Sequence, residues 1–224
     1  WDVASGRVIR RILAHVHTIN SVALNDDCTV LITASYDNTV KFWDLRASNR
    51  EPIQTLSDFK DAVTSVITTE NGIIASSVDG YVRVYDLRSG RLHSDDLKDP
   101  VTCVRLTEDG KAYLATCLQG TIRLVDLKSG QLLKEYVGHK HSSFKLEAAL
   151  ESGDCRVLTA DEDGSILHWS ILATDGQPLY RTPGAHFKAG SSVSCHPSKE
   201  LFLTASYDGT AKLWESKSSE SSES

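Results

Sequence analysis

The sequence predicts an all-β protein, a β-propeller of four-stranded antiparallel blades. One hairpin unit carries the prediction: LITASYDNTVKFWD at 31–44 returns as LFLTASYDGTAKLWE at 201–215, with TASYD at the same distance from a tryptophan. Three variants stand between them, IIASSVDGYVRVYDLR at 73–88, YLATCLQGTIRLVDLK at 113–128 and VLTADEDGSILHWSI at 157–171. The hairpin ends, Trp1, Trp43, Tyr85, Val125, Trp169 and Trp214, follow at intervals of 42, 42, 40, 44 and 45 residues. A sustained period of this size marks a repeat architecture.

Each hairpin is an apolar run, a polar turn (Asp37-Asn38 or Asp208-Gly209) and a second alternating run, which is hairpin chemistry. Trp1-Asp2 ends a hairpin, and residues 7–13 are expected to form a short outer strand. The first full unit starts at His15, with a strand near 18–24, a turn at Asn25-Asp26-Asp27, the hairpin and an outer strand near 52–56. The second unit begins near Ala62 and the third at Val101; the fourth follows Gly138-His139 and reaches Leu179-Tyr180 through a longer polar connection at 173–177. The fifth supplies three strands ending at Glu215. Residues 1–215 are therefore read as the propeller, and 216–224, SKSSESSES without an apolar residue, as a disordered tail. Four-stranded sheets that are apolar on two faces must stack, which around an axis gives a propeller whose edges need closure. The five units are expected to belong to a seven-bladed ring whose two N-terminal blades are missing.

A net charge of −6 disfavours broad binding to a phosphate backbone. No apolar segment approaches the roughly 20 residues of a membrane span, so the chain reads as soluble and intracellular. Five scattered cysteines, Cys28, Cys103, Cys117, Cys155 and Cys195, without a CxxC pair, argue against a disulfide framework or structural zinc.

Four polar residue types travel together: His15, Thr33, Asp37 and Trp43; His139, Thr159, Asp163 and Trp169; His186, Thr204, Asp208 and Trp214. The expected coupling is a hydrogen-bond chain from indole to hydroxyl to imidazole to carboxylate. One such set would pass for a catalytic triad, but three repeats carry it, which identifies a structural device. In the second and third units Ala75 and Ala115 replace Thr, Tyr85 and Val125 replace Trp, and no His precedes them. Those units are expected not to depend on such networks, and Asp79 is expected to tolerate substitution. His139-Lys140-His141 has no further ligands at metal spacing, and Cys195 and His196, adjacent on a strand, point to opposite faces. Lys41, Arg83, Arg123 and Lys212, each two residues before the hairpin-end position, are expected to be solvated strand residues. No catalytic residue, metal, cofactor or small-molecule substrate is expected.

The aromatic-acidic hairpin end, the turn aspartate six residues earlier and a His about 28 residues before the Trp resemble the WD40 repeat over nearly the whole of 1–215. WDVASG, VDGYVRVYDLRSG, DPVTCVRLTEDG and GHKHSSFKLE further resemble the mitogen-activated protein kinase organizer family. That resemblance implies a seven-bladed scaffold for extracellular-signal-regulated kinase components and an association with spliceosomes, at cytoplasmic and nuclear locations. Partners are thus expected to be proteins. Tyr36 and Tyr207, large residues beside the turn acid, are the candidate anchors of a partner surface, joined by strand phase by Thr18, Asn20, Thr64, Thr102 and Ser191. A second reading starts from Trp43-Asp44-Leu45-Arg46 and Tyr85-Asp86-Leu87-Arg88, which resemble the box by which WD40 receptors dock on cullin-RING ubiquitin ligases, with Arg46 and Arg88 as the contacts.

Overall fold

Alternation of apolar residues to both sides of a strand forces each sheet of this chain to be covered on two faces. The computed structural model describes residues 1–47 and 51–215; the expected disordered tail, 216–224, lies outside them. The first sheet is β1 (Ile19–Leu24), β2 (Val30–Ser35), β3 (Val40–Asp44) and β4 (Gln54–Leu56). The second is β5 (Val63–Thr69), β6 (Gly72–Ser77), β7 (Tyr81–Asp86) and β8 (Arg91–Asp96). The third is β9 (Val101–Leu106), β10 (Ala112–Cys117), β11 (Thr121–Asp126) and β12 (Leu132–Tyr136). The fourth is β13 (Ala148–Leu150), β14 (Arg156–Ala160), β15 (Ile166–Ser170) and β16 (Tyr180–Thr182). The fifth has three strands, β17 (Gly190–Cys195), β18 (Leu201–Ser206) and β19 (Ala211–Glu215). Every sheet is an antiparallel meander in chain order, so these are propeller blades.

Residues 8–13 form no strand, contrary to expectation; the pairing found there is one bridge between Asp2 and Arg7. Ile9 and Leu13 are exposed, so the segment buries no apolar face on a sheet. The Arg10 guanidinium fastens the segment instead, donating to the carbonyls of Asp44 at 3.0 Å and Ala47 at 2.7 Å.

The core lies between blades. Ile32, Val40 and Phe42 of the first blade pack on Val66, Ile73 and Tyr85 of the second. Ile74, the next residue on β6, joins the seam with the third blade, against Val104 and Tyr113. Leu114, next after Tyr113, faces the fourth blade with Leu167 and Trp169, and Leu158 faces the fifth with Val193 and Phe202. At the two ends of the series the alternation meets no neighbour among the described residues: Val22 is 62% exposed and Leu213 66%.

The innermost strands carry a second fastening. In four of them the pairing register skips one residue, Asn20, Thr64, Thr102 or Ser191. Such a bulge releases the side chain from its own ladder and re-aims it. Asn20 Nδ2 donates to Val63 O at 2.8 Å, Thr64 Oγ1 to Val101 O at 2.7 Å and Thr102 Oγ1 to Leu146 O at 2.9 Å. Three of the four bulge residues, Asn20, Thr64 and Thr102, thus clasp the next blade. Glu147 adds a hub, accepting from Arg105 of the third blade at 3.0 Å and from Ser192 of the fifth at 2.7 Å. Lys145 Nζ, on the segment before β13, donates to Asn20 O of β1 at 3.0 Å, tying the first blade to the entry of the fourth across 125 residues.

Thr102→Val keeps the volume but removes the hydroxyl from a buried clasp, and is expected to cost about 1–3 kcal/mol. Ser191→Ala, whose hydroxyl reaches only Ala205 O of its own blade, should stay within about 0.5 kcal/mol. Urea melts of the two variants compare them, and equal losses would refute the clasp.

Candidate functional site

Two of the three expected networks form, with matching geometry. In the first blade Trp43 Nε1 donates to Thr33 Oγ1 at 3.0 Å, His15 Nε2 lies 2.8 Å from that hydroxyl, and His15 Nδ1 lies 2.9 Å from Asp37 Oδ2. In the fifth, Trp214 Nε1 donates to Thr204 Oγ1 at 2.8 Å, His186 Nε2 is 2.7 Å away, and His186 Nδ1 is 3.1 Å from Asp208 Oδ2. The turn places the carboxylates: Asn38 (φ 64°) and Gly209 (φ 83°) occupy the left-handed region in corresponding turns. Burial pushes the Asp37 carboxyl up, but hydrogen bonds from Thr39 and His15 outweigh it and hold it below the usual range. At Asp208 the Thr210 hydroxyl is the main cause of a stronger depression. Both imidazoles have buried side chains and use both ring nitrogens in hydrogen bonds within their networks.

The fourth blade departs from expectation. His139 makes no hydrogen bond through either ring nitrogen and packs edge-on against Trp169. Trp169 Nε1 donates to Val137 O at 2.9 Å, Thr159 Oγ1 to Glu147 O at 2.9 Å, and Asp163 accepts from Lys140 Nζ at 2.9 Å. Counting explains the failure. His15 and His186 precede their threonines by 18 residues and their aspartates by 22, and His141, not His139, stands at those distances from Thr159 and Asp163. His141 is nevertheless drawn to Phe144 O at 2.8 Å, because Glu162 gathers the loop. Its carboxylate accepts from the backbone N–H groups of Ser142 at 2.7 Å, Ser143 at 2.6 Å and Phe144 at 3.1 Å. Burial raises the Glu162 carboxyl, yet these donors bring it down to about 2. The blade's turn is capped by Asp161, whose Oδ1 accepts from the N–H groups of Asp163 at 3.0 Å and Ser165 at 2.9 Å.

Nor is the second blade without a network. Asp79 accepts from Arg83 Nη2 at 2.8 Å and from Lys60 N at 3.0 Å, and the buried guanidinium lies 4.8 Å from the Phe59 ring centroid. Asp79 is therefore not spare: its loss would strand Arg83 in the interior. The expectation that the repeated strand cations are solvated fails at each position. Lys41 Nζ donates to Ala14 O at 2.9 Å, Lys212 Nζ to Ala185 O, and Arg123 to Leu97 O and, at 2.7 Å, to Asp99. Each cation ties the loop leading into a blade to that blade's hairpin.

Of the expected partner surface, Thr64 and Thr102 are buried and Asn20 partly buried; all three are clasps, turned inward by the bulge. Thr18 is exposed, and its carbonyl accepts from Tyr36 N at 2.9 Å. Tyr36 is 61% exposed, and Tyr207, 51% exposed, packs on Phe144 of the preceding blade. Phe187 is exposed on the same rim and adds to the expected surface. Its signal was legible: Val16 and Phe187 are large apolar residues directly after the network histidines, and both are exposed. Arg46 is exposed, with its Nε 3.5 Å from Asp44. Asp44 and Asp86 cap their own turns, accepting from the backbone N–H groups of Arg46 at 2.8 Å and Arg88 at 2.9 Å. Among the described residues no group of three or more His, Cys, Asp or Glu could hold a metal ion, and no helix is long and apolar enough to cross a membrane.

Thr33→Ala strands both Trp43 and His15 and is expected to cost about 1–3 kcal/mol in a denaturant melt. His139→Phe keeps the ring and breaks no hydrogen bond, so it should leave stability unchanged or raise it; a loss equal to that of Thr33→Ala would contradict this account. A pH series supplies a separate test. Burial pushes the His139 imidazole from 6.5 down to about 4, and burial, reinforced by Arg156, does the same at His168. The unfolded chain then binds more protons, so this share of stability is complete above pH 6.5 and is lost as pH falls toward about 4. Urea midpoints should drop over that window, and His139→Phe with His168→Phe should flatten the drop.

The family model described as "WD domain, G-beta repeat" matches residues 6–44, 50–86 and 177–215. The chain is 36% identical to the WD repeat domain-containing protein 83 homolog of Dictyostelium discoideum over 244 residues, 96% of this chain and 74% of that protein. It is 37% identical to WD repeat domain-containing protein 83 of Rattus norvegicus over 169 residues, 75% of this chain and 52% of the other. With that of Homo sapiens it shares 37% over 168 residues, 73% and 51% of the two chains. The chain spans about half the length of these mammalian relatives. The matched segments include both blades in which the Trp-Thr-His-Asp network forms, and on the repeat and these relatives together the chain belongs to the WD40 repeat family, as a homologue of WD repeat domain-containing protein 83.

Proposed function

We propose that the chain is a non-catalytic scaffold that gathers protein components of mitogen-activated protein kinase signalling or of pre-mRNA splicing complexes, in the cytoplasm and the nucleus. The observation that carries the scaffold reading is the aromatic rim, where Tyr36, Tyr207 and Phe187 stand exposed on loops that the networks fasten to rigid hairpins. Aromatic side chains bury much area at little entropic cost and anchor protein interfaces. The choice of assemblies rests on the resemblance to the organizer family. A net charge of −6 supports a protein ligand over bare RNA. A second reading, docking on a cullin-RING ligase, draws support from the exposure of Arg46 and Arg88 on the turns after β3 and β7.

Affinity purification of the full-length protein is expected to return kinase-cascade or spliceosomal proteins. Tyr36→Ala with Tyr207→Ala should weaken that capture at least about tenfold, since anchor truncations commonly exceed 1–2 kcal/mol, while the melting temperature stays put. Capture unaffected by the pair would remove the aromatic rim. Recovery of a ligase adaptor, abolished by Arg46→Ala with Arg88→Ala, would replace the scaffold reading with the ubiquitin one.

A further inference from the structure

The seam between the first and second blades opens into a groove of about 400 Å³ on the rim opposite the aromatic one. Strand β2 runs from this rim, at Val30, to the network turn beyond Ser35, so its two ends serve different surfaces. The opening has a local cause. β4 pairs with Val40, Lys41 and Phe42 alone, whereas β8 pairs along the whole of β7, from Tyr81 to Asp86. Among the described residues, the short outer strand leaves a groove at the lower end of the seam. The buried Ile32, Phe42 and Ile73 lie at the bottom of the groove, and Ile53, 61% exposed, is its accessible apolar wall.

The mouth is acidic. Asp26 and Asp27 lie on the turn between β1 and β2, and Glu70 lies between β5 and β6; all three are exposed and line the groove. None forms a side-chain ion pair among the described residues, whereas Asp44, Asp79, Asp96 and Asp109 all do. Among the described residues Arg88 is the one cation in the lining. Three carboxylates against one guanidinium around an apolar wall favour a ligand that is apolar at its centre and basic on its flanks.

We propose that this groove is a second docking site, which takes a short segment of a partner protein with one aliphatic or aromatic anchor flanked by Lys or Arg. The anchor packs in the groove against Ile53, and the flanking cations pair with Asp26, Asp27 and Glu70. A nucleic acid is excluded by the sign of the rim. This surface is separate from the Tyr36 and Tyr207 rim, so its failure leaves the scaffold reading standing.

The probe is a fluorescein-labelled peptide, Gly-Lys-Arg-Leu-Lys-Arg-Gly, titrated into the full-length protein. Two control peptides replace Leu by Gly, or the four basic residues by Glu and Asp. The basic leucine peptide is expected to bind, to perturb backbone amide resonances of 25–27 and 69–72, and to weaken as salt rises. D26N with D27N and E70Q, and separately Ile53→Ser, should each lower its affinity at least about tenfold; both are surface changes, and their folding is checked by thermal melts. Equal binding of the glycine peptide would reduce the site to nonspecific charge attraction and overturn the proposal. So would resonance changes elsewhere, binding indifferent to both variants, or no binding. Self-association in sedimentation velocity that the triple variant abolishes would make a second copy of the chain the occupant, and would equally overturn it.

Discussion

Everything in this fold depends on how one blade holds the next at the innermost strand. A four-stranded meander cannot bury two apolar faces by itself, so its stability is borrowed from neighbours. Nonpolar packing in the seams supplies much of the attraction, but such packing is non-directional. The bulge residue supplies direction: because Asn20, Thr64 and Thr102 stand outside their own ladders, each can satisfy a carbonyl on the following blade. Glu147, bonded to residues of the third and fifth blades, binds three blades at one carboxylate.

The outer ends of the blades meet a different constraint, the fastening of the loop that leads into each blade, and the chain solves it with several chemistries. A Trp-Thr-His-Asp chain does so in the first and fifth blades. Arg83 between Asp79 and Phe59 does so in the second, Arg123 with Asp99 in the third, and Glu162 beneath three backbone N–H groups in the fourth. Each pairs a charged group with partners that hold it, which a buried ion requires. The cost of such variety shows in the fourth blade, where both nitrogens of His139 lie buried without partners. Loops fastened in different ways present different residues outward, and recognition on a rigid frame draws on such differences.

The two rims consequently differ in character. One is aromatic, with Tyr36, Phe187 and Tyr207 exposed around fastened turns. The other, at the first seam, is an apolar groove with acidic turns and arises from the brevity of β4. A scaffold benefits from surfaces of unlike chemistry, since partners that prefer one are disfavoured at the other.

The periodicity of the chain by itself determined the five sheets, the hairpin turns and the Trp-Thr-His-Asp sets of the first and fifth blades. Hydrophobic alternation and turn chemistry are local, and an 18- and 22-residue spacing repeats wherever the loop length repeats. The fourth blade misled because Gly138-His139 imitates the start of a unit while two further residues in its loop put His141 at the proper distance. Tertiary structure alone decided that Thr64 and Thr102 face a neighbouring blade and not a partner, that Lys41, Arg83, Arg123 and Lys212 hold loops, and that residues 8–13 are not a strand. Strand phase assigns a side chain to a face of its own sheet, but a bulge breaks that phase. What the released side chain then meets belongs to a blade some 40 residues away, and a period counted within one repeat carries no record of the contact between two.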